Sequence, residues 1–258
     1  MSQNSGIEWT DATWNPVTGC TPVSSGCANC YAMTLAHRLL ADHYRARVPV
    51  TDTAFNRGDP FAVRLWPERL ADPSRWRKPK MVFVNSMGDL FHDEIPEAFV
   101  RAVFEVMLAV DHHVYQVLTK RPARMLRFVR RHSDLFPRSE LPCHIWLGTS
   151  VENQTVAFRI TQLRRIPAAV RFLSCEPLLG PVDLDLSDIH WVIAGGESGA
   201  IHREMNMEWA RTIRDACLVS GVPFFFKQIG GRTPKAGGRV LDGRTWDEFP
   251  TRRIAGST

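Results

Sequence analysis

Short apolar runs alternate with amphipathic stretches along most of this chain. The runs predict strands at Ile7–Thr10, Met81–Asn85, Val114–Thr119, Ile145–Thr149, Arg171–Ser174 and Trp191–Ala194, with Val222–Lys227 as a candidate seventh. The amphipathic stretches predict helices at Tyr31–Ala46, Pro96–Val110, Pro122–His132, Asn153–Arg165 and Met207–Ser220. In the second of these helices, apolar residues recur every three or four positions, as in a helix packed on a sheet. This alternation is typical of a parallel sheet built from strand–helix units.

Two segments depart from this alternation. Val48–Lys80 is rich in proline, arginine, aspartate and tryptophan and is longer than ordinary crossovers, so it predicts an insertion after the first helix. Residues 230–258 predict loop or short extended structure and carry six basic residues among glycines: Arg232, Lys235, Arg239, Arg244, Arg252 and Arg253. The length of 258 residues, 44% of them hydrophobic and 23% charged, predicts a single globular domain spanning residues 1–258.

The overall charge and the absence of long apolar segments limit the cellular setting. No apolar run approaches the roughly 20 residues that cross a bilayer, and the first residues lack the features of a secretory signal. We therefore expect a cytoplasmic protein without a membrane partner. The chain has 32 Lys and Arg against 27 Asp and Glu, and this net charge of +5 permits a polyanionic partner without requiring one. The sequence does not indicate an oligomeric state.

Three of the six cysteines, Cys20, Cys27 and Cys30, lie close together after the first predicted strand. Clustered cysteines in a reducing compartment indicate metal or redox chemistry rather than disulfides. A zinc site needs a fourth ligand, and the nearest candidates, His37 and His43, do not have a recognised zinc spacing. A [4Fe–4S] cluster fits better, because three cysteines hold three irons and leave the fourth open. A structural zinc or incidental thiols remain the alternative.

With these cysteines the sequence resembles the radical S-adenosylmethionine (SAM) superfamily, whose loop is usually C-x3-C-x2-C and here is C-x6-C-x2-C. The segments WNPVTGC, GCANCYA, VNSMGDLF, LTKRP, LGTSVENQ, LSCEPLLGP and IAGGESG resemble more closely a three-cysteine family of phages and bacteria, usually left without assigned function. The resemblance to spore photoproduct lyases is looser. The resemblance implies a partial (β/α)6 barrel, here with an extra C-terminal strand and an insertion after the first helix. It also implies a [4Fe–4S] cluster that cleaves SAM to a 5′-deoxyadenosyl radical, and a reductant such as flavodoxin or ferredoxin.

The same resemblance, together with the polar residues that follow the predicted strands, suggests cofactor contacts. Asp89 takes the place of the acid that receives the methionine ammonium group, and Ser86 and Gly88 precede it. Further candidates follow two later strands: Ser150, Glu152, Asn153, Gly195, Gly196 and Glu197. Structural roles compete at each place, since Asp89, Ser150 or Asn153 can cap a turn or helix and glycines serve tight turns.

Other residues suggest how a substrate would be bound and processed. Cys175 ends the fifth predicted strand and is a candidate donor of a hydrogen atom to a product radical, although a core cysteine is commoner. A basic stripe that can neutralise nucleic-acid phosphates, or can simply be a solvated helix face, comprises Lys120, Arg121, Arg124, Arg127 and Arg131. Four tryptophans near arginines are candidates for stacking an unpaired base: Trp14, Trp66, Trp76 and Trp146.

Three functional hypotheses follow. The first is a radical SAM enzyme that acts on nucleic acid, most sharply DNA repair of an ultraviolet photoproduct. The second is radical modification of a nucleoside, peptide or small metabolite. The third is a non-catalytic iron–sulfur or zinc module that binds nucleic acid.

Overall fold

Seven parallel strands form the main sheet in the computed structural model, which describes residues 5–136 and 140–251. In chain order the strands are β1 (Ala12–Trp14), β4 (Met81–Val84), β5 (Val114–Thr119), β6 (Leu141–Ser150), β7 (Ala168–Cys175), β8 (Trp191–Gly195) and β9 (Phe224–Gln228). They lie in the sheet in the order of the sequence, and every neighbouring pair is parallel. Because each new strand is added on the same side of the last, the sheet curls into a half-barrel.

The helices are α1 (Tyr31–Arg38), α2 (Ala41–Arg45), α3 (Ala54–Gly58), α4 (Glu97–Ala109), α5 (Pro122–Arg131), α6 (Phe158–Arg164) and α7 (Met207–Ser220). Four of the helices, α4 to α7, pack on one face of this sheet, whereas α1 and α2 pack with the insertion in a smaller cluster. The larger buried core combines residues of α4, α5, α6 and α7 with alternate residues of the strands. None of the helices in the described ranges is long and apolar enough to cross a membrane.

The other, concave face of the sheet has a separate aromatic core. It contains inward-facing strand residues such as Phe83, Trp146, Phe172 and Phe225. Trp9, which precedes β1 in the sequence, packs against them. Side chains alternate between the two faces along each strand, so membership of either core shows which way a strand residue points. The concave face is therefore filled near the amino ends of the strands, and the polar residues lie at the carboxyl ends. We call this carboxyl edge of the sheet the barrel mouth.

The mixed α/β fold, the partial barrel, the additional C-terminal strand and the insertion are confirmed, but three element predictions are wrong. The predicted helix Asn153–Arg165 is a 3₁₀ turn at Gln154–Val156 followed by α6. The first strand is Ala12–Trp14, whereas the predicted Ile7–Thr10 forms a turn, closed by a 3.2 Å hydrogen bond from Thr10 N to Ile7 O. Its apolar Trp9 packs into the concave core instead of pairing with a strand. The predicted helix Tyr31–Ala46 is two helices, α1 and α2, because the backbone leaves the helical conformation at Leu39 and Leu40.

The insertion is an ordered wall beside the first strand. It contains α3, the two-residue strand β3 (Arg64–Leu65), and 3₁₀ turns at Pro67–Ala71 and Pro73–Arg75. Strand β3 pairs antiparallel with β2 (Val17–Thr18), which follows β1. The Arg64 guanidinium is completely buried and donates to the backbone carbonyls of Arg47, Asn56 and Ala62, which joins three segments in and next to the insertion to β3.

Candidate functional site

The segment Gly19–Cys30, which we call the cysteine loop, lies at the barrel mouth between β2 and α1. Cys20 opens it, Cys27 ends a short 3₁₀ turn, and Cys30 is the N-cap of α1. Gly19 has a φ of +86°, and a Cβ atom there would lie 2.2 Å from the carbonyl oxygen of Ala62 in the insertion. Only glycine permits this close approach, so the loop is pressed against the insertion wall.

Two of the three thiols share one apolar environment. Cys20 and Cys30 pack against the same apolar cluster, which includes Phe61, Trp66 and Met87. Burial raises the pKa of the Cys20 thiol to about 12, and the charges of Asp89 and of a thiolate at Cys27 add to the effect. The charge of Arg121 and its hydrogen bond to Cys20 lower this pKa and offset part of the effect.

The surroundings of the three thiols bear on what the cysteine loop could hold. Within the described ranges, no three His, Cys, Asp or Glu side chains are grouped closely enough to hold one ion. The apolar cluster against Cys20 and Cys30 lowers the polarity around these two sulfurs, and such a shell tunes the potential of an iron–sulfur cluster where one is bound.

Arg121, at the end of β5, holds the first cysteine. Its guanidinium donates to Cys20 Sγ at 3.4 Å, to Thr21 O at 3.0 Å and to Asp89 Oδ2 at 3.1 Å. Asp89 is buried and also accepts hydrogen bonds from Phe91 N at 2.9 Å and Thr119 Oγ1 at 2.7 Å. The carboxylate thus fixes Arg121 against the sulfur, and its oxygens are occupied by groups of the protein.

Glu152, just beyond β6, holds the middle of the cysteine loop. Its side chain is fully buried and accepts a 2.7 Å hydrogen bond from Ser24 Oγ. It also forms ion pairs with Lys120 and with Arg159, the latter at 2.9 Å. Burial raises the pKa of Glu152, but the charges and hydrogen bonds of Lys120 and Arg159 outweigh it and leave the pKa below its usual value. Gly26 lies against this carboxylate, and a Cβ there would be 2.5 Å from Oε1.

Glu197, after β8, holds the end of the loop. It accepts a 2.8 Å hydrogen bond from the Nδ2 of Asn29, the residue before Cys30, and pairs with the Arg203 guanidinium. Arg203 in turn donates to Ser25 O at 3.0 Å. Burial raises the pKa of Glu197, but hydrogen bonds from Arg203 and Asn29 outweigh it, so the group is a carboxylate at neutral pH. Three acidic residues, each of which follows a different strand, therefore position the cysteine loop.

The other predicted cofactor contacts lie nearby and have structural partners. Ser86 exchanges hydrogen bonds with Asn15, and Gly88 forms an isolated bridge with Gly19. Asn153 caps a 3₁₀ turn through a 3.0 Å hydrogen bond from Thr155 N, as its capping alternative predicts. Ser150 lies on the concave face of β6, two pleats above Trp146.

Gly195 and Gly196 serve the packing of β8 on its neighbours. A Cβ at Gly196 would lie 1.9 Å from the carbonyl oxygen of Ile229, and one at Gly195 would lie 3.0 Å from the carboxylate of Glu176. Gly196 therefore excludes a side chain for reasons of space, whereas at Gly195 the Glu176 side chain would have to move.

The predicted basic stripe is not a single surface, which corrects the nucleic-acid expectation at three of its five residues. Lys120 pairs with Glu152, Arg121 is 9% exposed beside Cys20, and Arg124 donates to Ile95 O. Arg127 and Arg131 are exposed, and Arg131 pairs with Glu97 at 2.8 Å. Lys120 and Arg121 turn toward the site because they lie where β5 ends at the barrel mouth, whereas Arg124 turns to the segment before α4.

The predicted roles of the tryptophans and of Cys175 also need correction. All four tryptophans near arginines are buried and so unavailable for stacking a base: Trp14, Trp66, Trp76 and Trp146. Cys175 is 0% exposed and belongs to the helix-facing core, where Cys217 of α7 lies close enough to raise its pKa. Its burial away from the concave face argues against the hydrogen-donor role and for packing. Arg252 and Arg253 lie outside the described residues.

Several residues that shape the site were missed in the sequence. Arg203 and Arg159 belong to no recognised motif. They pair with Glu197 and Glu152, which precede them by 6 and 7 residues in the sequence. Asn29 and Tyr31 flank Cys30, and this adjacency was the only available signal. The Tyr31 hydroxyl donates to Ser86 O, so α1 is joined to the end of β4.

Comparisons with known proteins identify a family. No functionally curated protein matches the sequence. A solved structure, "Spore photoproduct lyase complexed with dinucleoside spore photoproduct", is similar with a TM-score of 0.45 and 12% identity. The alignment covers 79% of this chain and 59% of that one, so this chain spans less than two thirds of that protein. Residues 4–250 match the family described as "Protein of unknown function (DUF5131)". Because this match covers nearly the whole chain, the protein belongs to the DUF5131 family.

Proposed function

We propose that this protein is an iron–sulfur, SAM-dependent radical enzyme. The observation that carries the proposal is the cysteine loop itself, with three thiols at the mouth of a parallel half-barrel, fixed by Asp89, Glu152 and Glu197. In barrels of strand–helix units, chemistry is located at the carboxyl ends of the strands. A loop that is held by residues after three different strands has the rigidity that a catalytic centre needs.

The residues divide the work at this centre. Cys20, Cys27 and Cys30 would bind three irons of a [4Fe–4S] cluster, and Arg121 would stabilise the charge on the Cys20 sulfur. When bound, the cluster and SAM supply an electron and a 5′-deoxyadenosyl radical for hydrogen abstraction. We propose that Ser150, on the concave face of β6, contacts SAM, and that Asp89, Glu152 and Glu197 position the loop.

We propose nucleic acid as the substrate, with repair of an ultraviolet photoproduct in DNA as its sharpest form. Exposed Arg232 and Lys235 support this, because they follow Gly231, whose N–H donates to Glu197 O at the rim. These cations lie beside the barrel mouth, where they can attract phosphates. Modification of a nucleoside, peptide or metabolite is the alternative, and a reductant such as flavodoxin or ferredoxin would supply the electron.

Anaerobic reconstitution tests the enzymatic proposal. The protein is reconstituted with iron and sulfide, reduced in the presence of SAM, and analysed by chromatography for 5′-deoxyadenosine. We expect 5′-deoxyadenosine from the wild type and none from Cys27→Ala. Its absence from a fully iron-loaded wild type, both alone and with ultraviolet-irradiated DNA, would contradict the enzymatic proposal.

The substrate proposal has its own test. Binding to single-stranded DNA is measured between 50 and 200 mM salt, where a phosphate contact makes affinity fall as the salt rises. We expect a slope that decreases when Arg232 and Lys235 are both changed to Gln. A salt-independent affinity, or an unchanged slope in the double variant, would favour a small-molecule or peptide substrate.

A further inference from the structure

Two oppositely charged side chains face the barrel mouth and are not used to hold the cysteine loop. Glu176 follows β7 directly, and Lys227 lies in β9. Phe172 and Phe225 belong to the concave core, whereas Cys175 and Phe226 belong to the helix-facing core. Because faces alternate along a strand, Glu176 and Lys227 extend from the concave side.

The two side chains meet across the strand that separates them. Lys227 Nζ lies 3.0 Å from Glu176 Oε1, although β8 lies between β7 and β9 in the sheet. The residue of β8 at this level is Gly195, where a Cβ would be 3.0 Å from Glu176 Oε1 and 3.4 Å from Lys227 Cβ. The glycine therefore leaves the space in which the pair forms.

The pair is close to the cysteine loop and accessible from the mouth. The side chains of Glu176 and Lys227 are 13% and 23% exposed. Gly195, which lies beside the pair, is two residues before Glu197, and Glu197 accepts a hydrogen bond from Asn29 of the cysteine loop.

The chemistry of the pair limits what it can bind. A carboxylate beside an ammonium group offers an acceptor next to a donor with no net charge, so a matching ligand has an N–H donor beside an oxygen or nitrogen acceptor. Buried Phe172 and Phe225 close the concave face below, which keeps the site shallow. The edge of a planar ring with an N–H beside a carbonyl oxygen matches the donor and acceptor of the pair and fits a shallow site.

Resting on the proposed action on nucleic acid, we infer that the Glu176–Lys227 pair binds the Watson–Crick edge of one unpaired nucleobase at the barrel mouth. Glu176 accepts the N–H of the base, and Lys227 donates to the neighbouring acceptor. Ser174, whose hydroxyl donates to Glu176 Oε2 at 3.4 Å, orients the carboxylate. A paired base has this edge occupied, so the site would select single-stranded or flipped-out bases.

The test measures fluorescence anisotropy of the full-length protein with labelled thymidine hexamers. One hexamer is unmodified, and the other carries N3-methylthymine, which lacks the N–H donor. A good pair of base contacts discriminates by about 1–3 kcal/mol, so we expect the methylated hexamer to bind about 5- to 150-fold more weakly. In Glu176→Ala and Lys227→Met the two hexamers should bind nearly equally, whereas Glu97→Gln, a change at a surface ion pair, should keep the discrimination.

The outcomes separate this inference from the proposed radical chemistry. Equal binding of the two hexamers by the wild type, or retained discrimination in both variants, overturns the inference. Tighter capture of a free α-amino acid, with no hexamer binding, also overturns it. The assay needs neither reduction nor SAM, so base discrimination can be present in a protein that fails to form 5′-deoxyadenosine, and absent from one that forms it.

Discussion

Glu152→Gln tests whether the buried carboxylate under the cysteine loop holds the loop and the barrel together. The substitution keeps the size of the side chain but removes the charge shared by Lys120 and Arg159. Breaking a buried ion pair costs about 3–5 kcal/mol, and Lys120, which is 20% exposed, can turn partly to water. We therefore expect a loss of about 3 kcal/mol in the free energy of unfolding.

The loss should be visible as a change in melting temperature. For a chain of this size, 1 kcal/mol corresponds to about 2–4 °C, so the midpoint should fall by about 6–12 °C in calorimetry. Glu97→Gln is the matched control, because Glu97 pairs with Arg131 at the surface, where such pairs contribute less than about 1 kcal/mol. A Glu152→Gln variant as stable as this control would refute the proposed role of the carboxylate.

The pH dependence supplies a second check on the same residue. The pKa of Glu152 in the folded chain lies below its usual value, so its contribution is fully present above the unfolded pKa of about 4.3. That contribution is lost as the pH falls through the lower folded pKa. The stability difference between wild type and Glu152→Gln should therefore be largest near neutral pH and shrink in acid. A difference that grows in acid would contradict this sign.

Three further predictions concern the thiols and their supports. Gly19→Ala should destabilise the chain by about 1–3 kcal/mol and lower its iron content, because its Cβ meets a backbone oxygen, whereas Gly58→Ala, with open space around it, should not. Full iron in Gly19→Ala would show that the loop tolerates displacement. Arg121→Gln should retain iron but lower the reduction potential of the cluster, because the hydrogen bond from Arg121 to the Cys20 sulfur stabilises the reduced state. Spectroscopic titration measures this potential. We expect no change in the exposed control Arg131→Gln, and an unchanged potential in Arg121→Gln would refute the prediction. Cys175→Ala should leave iron content and product formation unchanged, and loss of product alone would restore the hydrogen-donor role.

The strand–helix pattern was predictable because apolar periodicity depends on which face of an element is buried. The bounds of β5 and α7 match the prediction residue by residue, as both have buried faces and clear end signals. The first strand was misplaced because the apolar residue Trp9 lies in a turn and packs into the concave core, without belonging to a strand. Apolar character alone does not tell a strand from a buried turn.

The candidate site was predictable in place but not in its pairings. The cysteines and the acids at the strand ends lie on one rim, as expected for parallel strands. The partners of those acids come from distant positions, as when Asn29 meets Glu197 across 168 residues. Arg121 was assigned to a nucleic-acid stripe because it leads from a strand into a helix with further arginines. The sequence does not show that its side chain turns inward to a sulfur.

The most direct test of the central claim is the iron and sulfide content of the anaerobically reconstituted chain and its cysteine variants. We expect about four irons per wild-type chain, with loss of the cluster in Cys20→Ala, Cys27→Ala and Cys30→Ala. Cys143→Ala, which changes a free cysteine in β6 away from the cysteine loop, should retain full iron. Zinc in place of iron, or full iron in any of the three loop variants, would contradict the account.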